Sequence, residues 1–202
     1  MFKTLSRRWQ YCNDVAASIS KASSTQLQQL KTQLAEQMGK PVGLHTMGIP
    51  AAISTLGVVV SFAIPQLWLG HGILAALNQP EERVFGWFGW VVAIALLFAG
   101  INGLTMFMIG KGSMRALRVH LTLALLSLLL TTVYLLFALA GTLSGANWPG
   151  VNLAAAMVSV VMLLLSGSSI RSTAFYQMLI FTLHNRAWRQ LISQTRNSHT
   201  SR

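Results

Sequence analysis

Four long stretches without a single Lys, Arg, Asp or Glu dominate this chain: residues 49–77, 84–110, 119–143 and 151–169. An α-helix of about 20 apolar residues crosses the roughly 30 Å hydrocarbon core of a bilayer. Each stretch is therefore read as a transmembrane helix. Composition agrees: 53% of residues are apolar and 9% are charged, against about 25% charged in a typical soluble domain. So few charges cannot cover the surface of a soluble protein of 202 residues, and lipid is the natural solvent for the rest. The fold class that follows is all-α: a polytopic membrane protein with four transmembrane helices in two hairpins, plus short cytoplasmic amphipathic helices at both ends. Three regions result, a cytoplasmic helical segment over 1–45, the transmembrane domain over 46–169, and a cytoplasmic or interfacial helix with a disordered tail over 170–202.

The net charge of +11 is a pattern that can signal nucleic-acid binding. Here the cations are spread along the chain between apolar stretches, so membrane topology explains them and no nucleic-acid partner is expected. With the N-terminus inside, only Arg83 of the fifteen Lys and Arg lies outside, beside Glu81 and Glu82. The connecting loops are short, where the positive-inside rule works best. The expected location is a bacterial inner membrane with both termini cytoplasmic. Trp68, Trp87, Trp90 and Trp148 fall near outer helix ends as an aromatic belt would, and Trp9 and Trp188 fall on the inner side. The N-terminal residues lack the apolar core of a cleavable signal peptide. Cys12, the only cysteine, excludes an internal disulfide.

Before the first span, Val15, Ile19 and Ala22, then Leu27, Leu30, Leu34 and Met38, recur at helical spacing with a slip near Ser23 and Ser24. This predicts two short helices or one interrupted helix, with Ser24 as N-cap and a stop at Gly39 and Pro41. Pro65 removes a backbone donor inside the first span and is expected to kink it. After Ser169 the sequence is either an extension of the fourth span or a separate interfacial helix. From Gln194 onward it reads as a polar, disordered tail.

Chemistry is sparse. All four acids, Asp14, Glu36, Glu81 and Glu82, lie outside the spans, which leaves a carboxylate proton relay or paired-carboxylate catalysis without support. His45, His120 and His184 fall near inner helix ends, a pattern that can ligate haem or metal. Such ligands need hydrogen-bonding partners that orient their rings, and interfacial histidines beside basic loops are the simpler reading. Gly110, Lys111, Gly112 and Ser113 resemble the end of a phosphate-binding loop, but Thr105 stands where its first glycine belongs; a helix stop is expected instead. The span hydroxyls, Ser54, Ser61, Ser127, Thr131 and Ser159 among them, lack a visible base at matching depth, so interhelical hydrogen bonding is expected. No catalytic, cofactor-binding or metal-binding residue is assigned, and no small-molecule substrate is identified.

Ala95, Ala99 and Gly103 form a small-xxx-small ridge in the second span. Small residues let helix backbones approach closely in lipid, so the ridge is a helix-packing or oligomer interface. The resulting expectation is a non-enzymatic membrane protein, a subunit or assembly factor of a secretion, conjugation or defence apparatus. Its partners would be the lipid bilayer and membrane proteins or further copies of itself. Two alternatives follow from architecture and from Gln66, Asn102 and Asn152 in or beside the spans: an immunity protein against a pore-forming toxin, and a small channel or transporter subunit.

Overall fold

The computed structural model describes residues 2–38, 43, 46–77, 81–145 and 151–200. The turns at 78–80 and 146–150 with Trp148, the stop at 39–41, and His45 lie outside the described residues. Among the described residues there are seven helices and no strand: α1 (Phe2–Lys21), α2 (Ser24–Met38), α3 (Ile49–Ala76), α4 (Glu81–Gly110), α5 (Met114–Leu143), α6 (Leu153–Arg171) and α7 (Thr173–Thr200). Of these, α3 to α6 are long and apolar enough to cross a membrane, as befits a multi-pass membrane protein.

The chain divides into two compact units. The first comprises Met1–Ala52, Thr105–Arg118 and Ser169–Arg202. In it α7 packs against α1 and α2. Cys12, Val15, Ala16 and Ile19 of α1 are buried, as are Leu27, Leu34 and Met38 of α2 and Phe175, Met178, Leu179, Ile180 and Leu183 of α7. Arg8 stacks over the Tyr176 ring and Lys31 over Trp188, and Gln194 Nε2 donates to the Ala22 carbonyl.

Local signals set the helix ends. The α1–α2 break is capped by Ser23 rather than Ser24: Gln26 N–H donates to Ser23 Oγ, and Ser23 N–H donates to Gln26 Oε1. This reciprocal pairing is a capping box, which satisfies two donors at once. Gly112 closes α4 at φ 81°, with Gly112 N–H donating to the Ile109 carbonyl and Ser113 N–H to the Met108 carbonyl. That pattern is a Schellman stop, and it needs a left-handed residue that glycine adopts without strain. Ser172 Oγ accepts from Phe175 N–H, so α7 starts afresh after α6 and is a separate helix. It continues to Thr200, past Gln194, where the sequence predicts disorder. The tie from Gln194 to Ala22 offsets the polar composition there.

The second unit comprises Ile53–Leu104 and Val119–Ser168. Phe62 of α3 stacks on Phe98 of α4 with centroids 3.7 Å apart, beside Val58, Leu123 and Leu130. Tyr134, Ala138 and Ala156 form another cluster with Ile64, Trp68 and Leu153. Gly57 lets α6 approach α3: a Cβ there would lie 2.5 Å from the Met162 carbonyl oxygen. Close backbone approach through small residues is the main packing device of helices in lipid.

Pro65 sits inside α3, which runs on to Ala76. Proline has no N–H, so the carbonyl four residues earlier, on Ser61, loses its helical donor. Two hydroxyls replace that donor. Thr131 Oγ1 of α5 donates to Ser61 O at 2.9 Å and Ser159 Oγ of α6 at 3.1 Å. The acceptor released by Pro65 thus joins three helices, the compensation that makes proline tolerable in a membrane helix.

Candidate functional site: a buried polar relay across four helices

One connected set of polar side chains draws on all four spans. Ser54 of α3, Asn102 of α4, His120 of α5 and Ser166 of α6 are each at most 2% exposed. Ser54 Oγ lies 2.8 Å from His120 Nε2 and 3.1 Å from Ser166 Oγ. His120 Nδ1 lies 3.1 Å from Asn102 Oδ1.

Donor accounting gives the relay a direction. Asn102 Nδ2 donates to the Phe98 carbonyl at 3.0 Å, which turns Oδ1 toward the imidazole as an acceptor. In a neutral imidazole His120 Nδ1 then carries the proton, and Nε2 accepts from the Ser54 hydroxyl. The Ser54 oxygen in turn accepts from Ser166. Hydrogen bonds therefore run from Ser166 to Ser54 to His120 to Asn102 and end on a backbone carbonyl, with the ring neutral and both nitrogens satisfied. This is the condition under which a buried polar network is tolerated.

Deeper in the spans a second layer repeats the theme. Thr131 Oγ1 and Ser159 Oγ lie 3.0 Å apart, and both engage Ser61 O. Ser127 Oγ of α5 donates to the Val58 carbonyl of α3 at 3.2 Å. Tyr134 Oη donates to the Asn152 carbonyl at 3.0 Å, and Asn152 Oδ1 caps α6 through Ala155 N–H. Of the hydroxyls expected to bond between helices, Ser54, Ser127, Thr131 and Ser159 do so. The Ser61 hydroxyl instead donates within its own turn, to the Val58 carbonyl.

Two expectations need correction. His120 is a buried member of the relay, not an interfacial histidine. A base does stand at matching depth to a hydroxyl, since His120 Nε2 meets Ser54. Serine, histidine and a carbonyl-bearing orienting group in that order is the arrangement of acyl-transfer nucleophiles. Here, however, Ser54 is 0% exposed and His120 is 2% exposed. No group of three His, Cys, Asp or Glu suited to a metal occurs among the described residues. Of the polar residues named for a transport path, Asn102 belongs to the relay and Asn152 is a cap. Gln66 Oε1 is buried without a hydrogen-bond partner.

The ridge residues sit differently from one another. Ala95 and Ala99 are half-buried and Gly103 is exposed, with nothing within 4 Å of where its Cβ would be. Gly86, Gly89 and Gly100 of the same helix also meet open space, whereas Gly57, Gly70 and Gly141 of α3 and α5 are each filled by a neighbour from this chain. Helical spacing puts Gly86, Gly89, Ala93 and Gly100 on the side of α4 opposite buried Val91, Phe98 and Asn102. That outward line is the part of the α4 face that the ridge alone misses. No family model, curated protein or solved structure matches the chain.

Proposed function

We propose that this protein is a non-catalytic subunit or assembly factor of a larger complex in a bacterial inner membrane. In this reading it crosses the membrane as two hairpins, with both termini in the cytoplasm. The observation that carries it is the open glycine face of α4. A glycine on a lipid-facing helix leaves a groove that lipid fills poorly and a second helix backbone fills well. Glycine in a helix interior costs about 1 kcal/mol relative to alanine, a cost that a partner would offset. The first unit supports the topology. It gathers both terminal segments and the 105–118 turn, and its ranges hold every Lys and Arg except Arg83.

Burial of the Ser54–His120–Asn102 set favours a role in holding the four helices in register over a role in acyl transfer. Such hydrogen bonds average about 0.6 kcal/mol each in a membrane, and their directionality fixes which helix faces meet.

Purification in mild detergent tests the assignment. The wild-type chain should carry partner chains or further copies of itself. Gly103→Leu and Gly100→Leu should strip them while the chain itself stays monodisperse, because leucine is a better helix former and suits lipid. Unchanged assembly in both variants would sink the proposal. Ion conductance by the purified chain in planar bilayers would favour the channel reading, and a bound toxin the immunity reading.

A further inference from the structure

A cleft of about 230 Å³ lies in the first unit, where the C-terminal end of α4 meets α7. Met106, Ile109 and Gly110 line it from α4, and Met178, Phe181 and Thr182 line it from α7. Ligand sites for drug-sized molecules usually run to about 300–1,000 Å³. This cleft is smaller and mainly apolar, which suits part of one alkyl chain rather than a folded ligand.

Cations stand at its edge. On α7, Arg186 and Arg189 follow Met178 and Thr182 along one face, at spacings of four, four and three residues. Arg186 Nη1 donates to the Gly112 carbonyl and Arg189 Nη2 to the Lys111 carbonyl, both at 3.0 Å. Lys111 directly follows the lining residue Gly110, and its ammonium lies 4.3 Å above the Phe107 ring. One α7 face thus passes from apolar to cationic in the order in which a lipid passes from chain to headgroup. Capping the end of α4 accounts for one N–H of each arginine. A guanidinium presents five and binds phosphate oxygens in pairs. The N-terminus of α5 begins beside the same turn and also favours an anion. Charge across the unit is lopsided, with Asp14 and Glu36 the only acids in its ranges.

We propose that this cleft binds an anionic phospholipid, its acyl chain between α4 and α7 and its phosphate against Lys111, Arg186 and Arg189. The assignment requires only that the chain is membrane-embedded and is independent of whether α4 recruits a partner. Anionic lipid is the occupant that answers both halves of the site at once, and basic clusters at membrane-helix ends hold such headgroups.

The test uses the full-length protein in dodecyl maltoside micelles, supplied with phosphatidylglycerol or phosphatidylcholine carrying a photoreactive diazirine in the acyl chain. Adducts are mapped by peptide mass spectrometry. Phosphatidylglycerol should label peptides containing Met106 and Met178, and phosphatidylcholine should label them several-fold less. Lys111→Gln should lower labelling by phosphatidylglycerol about fivefold, the usual worth of one cation at an anionic surface. Gly110→Leu should abolish labelling in the cleft. A Cβ at Gly110 meets nothing within 4 Å, so leucine enters the space without a clash, and unchanged chromatographic behaviour reports intact folding. Equal labelling by the two lipids, or labelling of the cleft that survives Gly110→Leu, would each overturn the proposal.

Discussion

Replacing Thr131 and Ser159 together should destabilise the protein far more when residue 65 is proline than when it is alanine. Thr131 Oγ1 and Ser159 Oγ both donate to Ser61 O, at 2.9 and 3.1 Å, and Pro65 offers that oxygen no N–H. Thr131→Val alone leaves Ser159 as donor, and Ser159→Ala alone leaves Thr131. Each single change should therefore cost about 0.6 kcal/mol, the average for a hydrogen bond between membrane helices. The double change leaves a buried carbonyl with neither hydroxyl, which adds about 1–3 kcal/mol. In a Pro65→Ala background the new alanine N–H restores the helical bond to Ser61 O. The double change there should cost only the lost hydroxyl bonds, about 1 kcal/mol in total. Reversible unfolding in mixed micelles of dodecyl sulfate and dodecyl maltoside, followed by tryptophan fluorescence, measures all the variants. An equal cost in both backgrounds would refute the argument that proline created the acceptor these hydroxyls serve.

The relay makes a second set of predictions. His120→Ala should cost about 2–4 kcal/mol, because it leaves the Ser54 and Asn102 side chains buried without this partner, and Ser54 should not react with a fluorophosphonate in the folded protein. Labelling of Ser54 would reinstate the acyl-transfer reading. Cys12 is fully buried, and burial pushes its thiol up to about 12. It should resist maleimide at pH 8 until the protein is unfolded. The unfolded thiol ionises near 9.0, so below that pH both states hold the proton and this group's contribution is fully present. That contribution is lost as pH rises from about 9 through 12, because the unfolded state releases its proton first. Stability that stays flat across this window in wild type, or falls equally in Cys12→Ala, would contradict the assignment.

The spans were legible in the sequence because uninterrupted apolar length is a local property, and it needs no knowledge of neighbours. The stop at Gly112 and the break before α2 were legible for the same reason, although the cap fell one residue early, on Ser23, since either serine fits the composition. The relay was not read, yet part of its signal is present. Buried His120, Ser127, Thr131, Tyr134 and Ala138 recur at alternating intervals of seven, four, three and four along α5, a single helical face. Ser54, Val58, Ser61 and Pro65 do the same along α3. A polar stripe at that spacing marks an inward face. Proximity of His120 to the cationic turn at Arg118 pointed instead to an interface, because charge near a span end is the stronger local cue. Which hydroxyl meets which carbonyl depends on the relative rotation and depth of separate helices, and a one-dimensional pattern does not carry that. The open face of α4 was only partly visible, because Ala95, Ala99 and Gly103 satisfy the small-residue spacing while turning gradually from the half-buried side to the exposed one.

Topology mapping tests the central claim most directly. Paired reporters, one active only in the cytoplasm and one only in the periplasm, are fused in turn after Lys40, Pro80, Ser113, Asn147 and Thr200. Four crossings with the basic segments inside predict a cytoplasmic signal at Lys40, Ser113 and Thr200 and a periplasmic signal at Pro80 and Asn147. A periplasmic signal at Ser113, between Lys111 and Arg115, would contradict the four-span arrangement and the proposed function built on it.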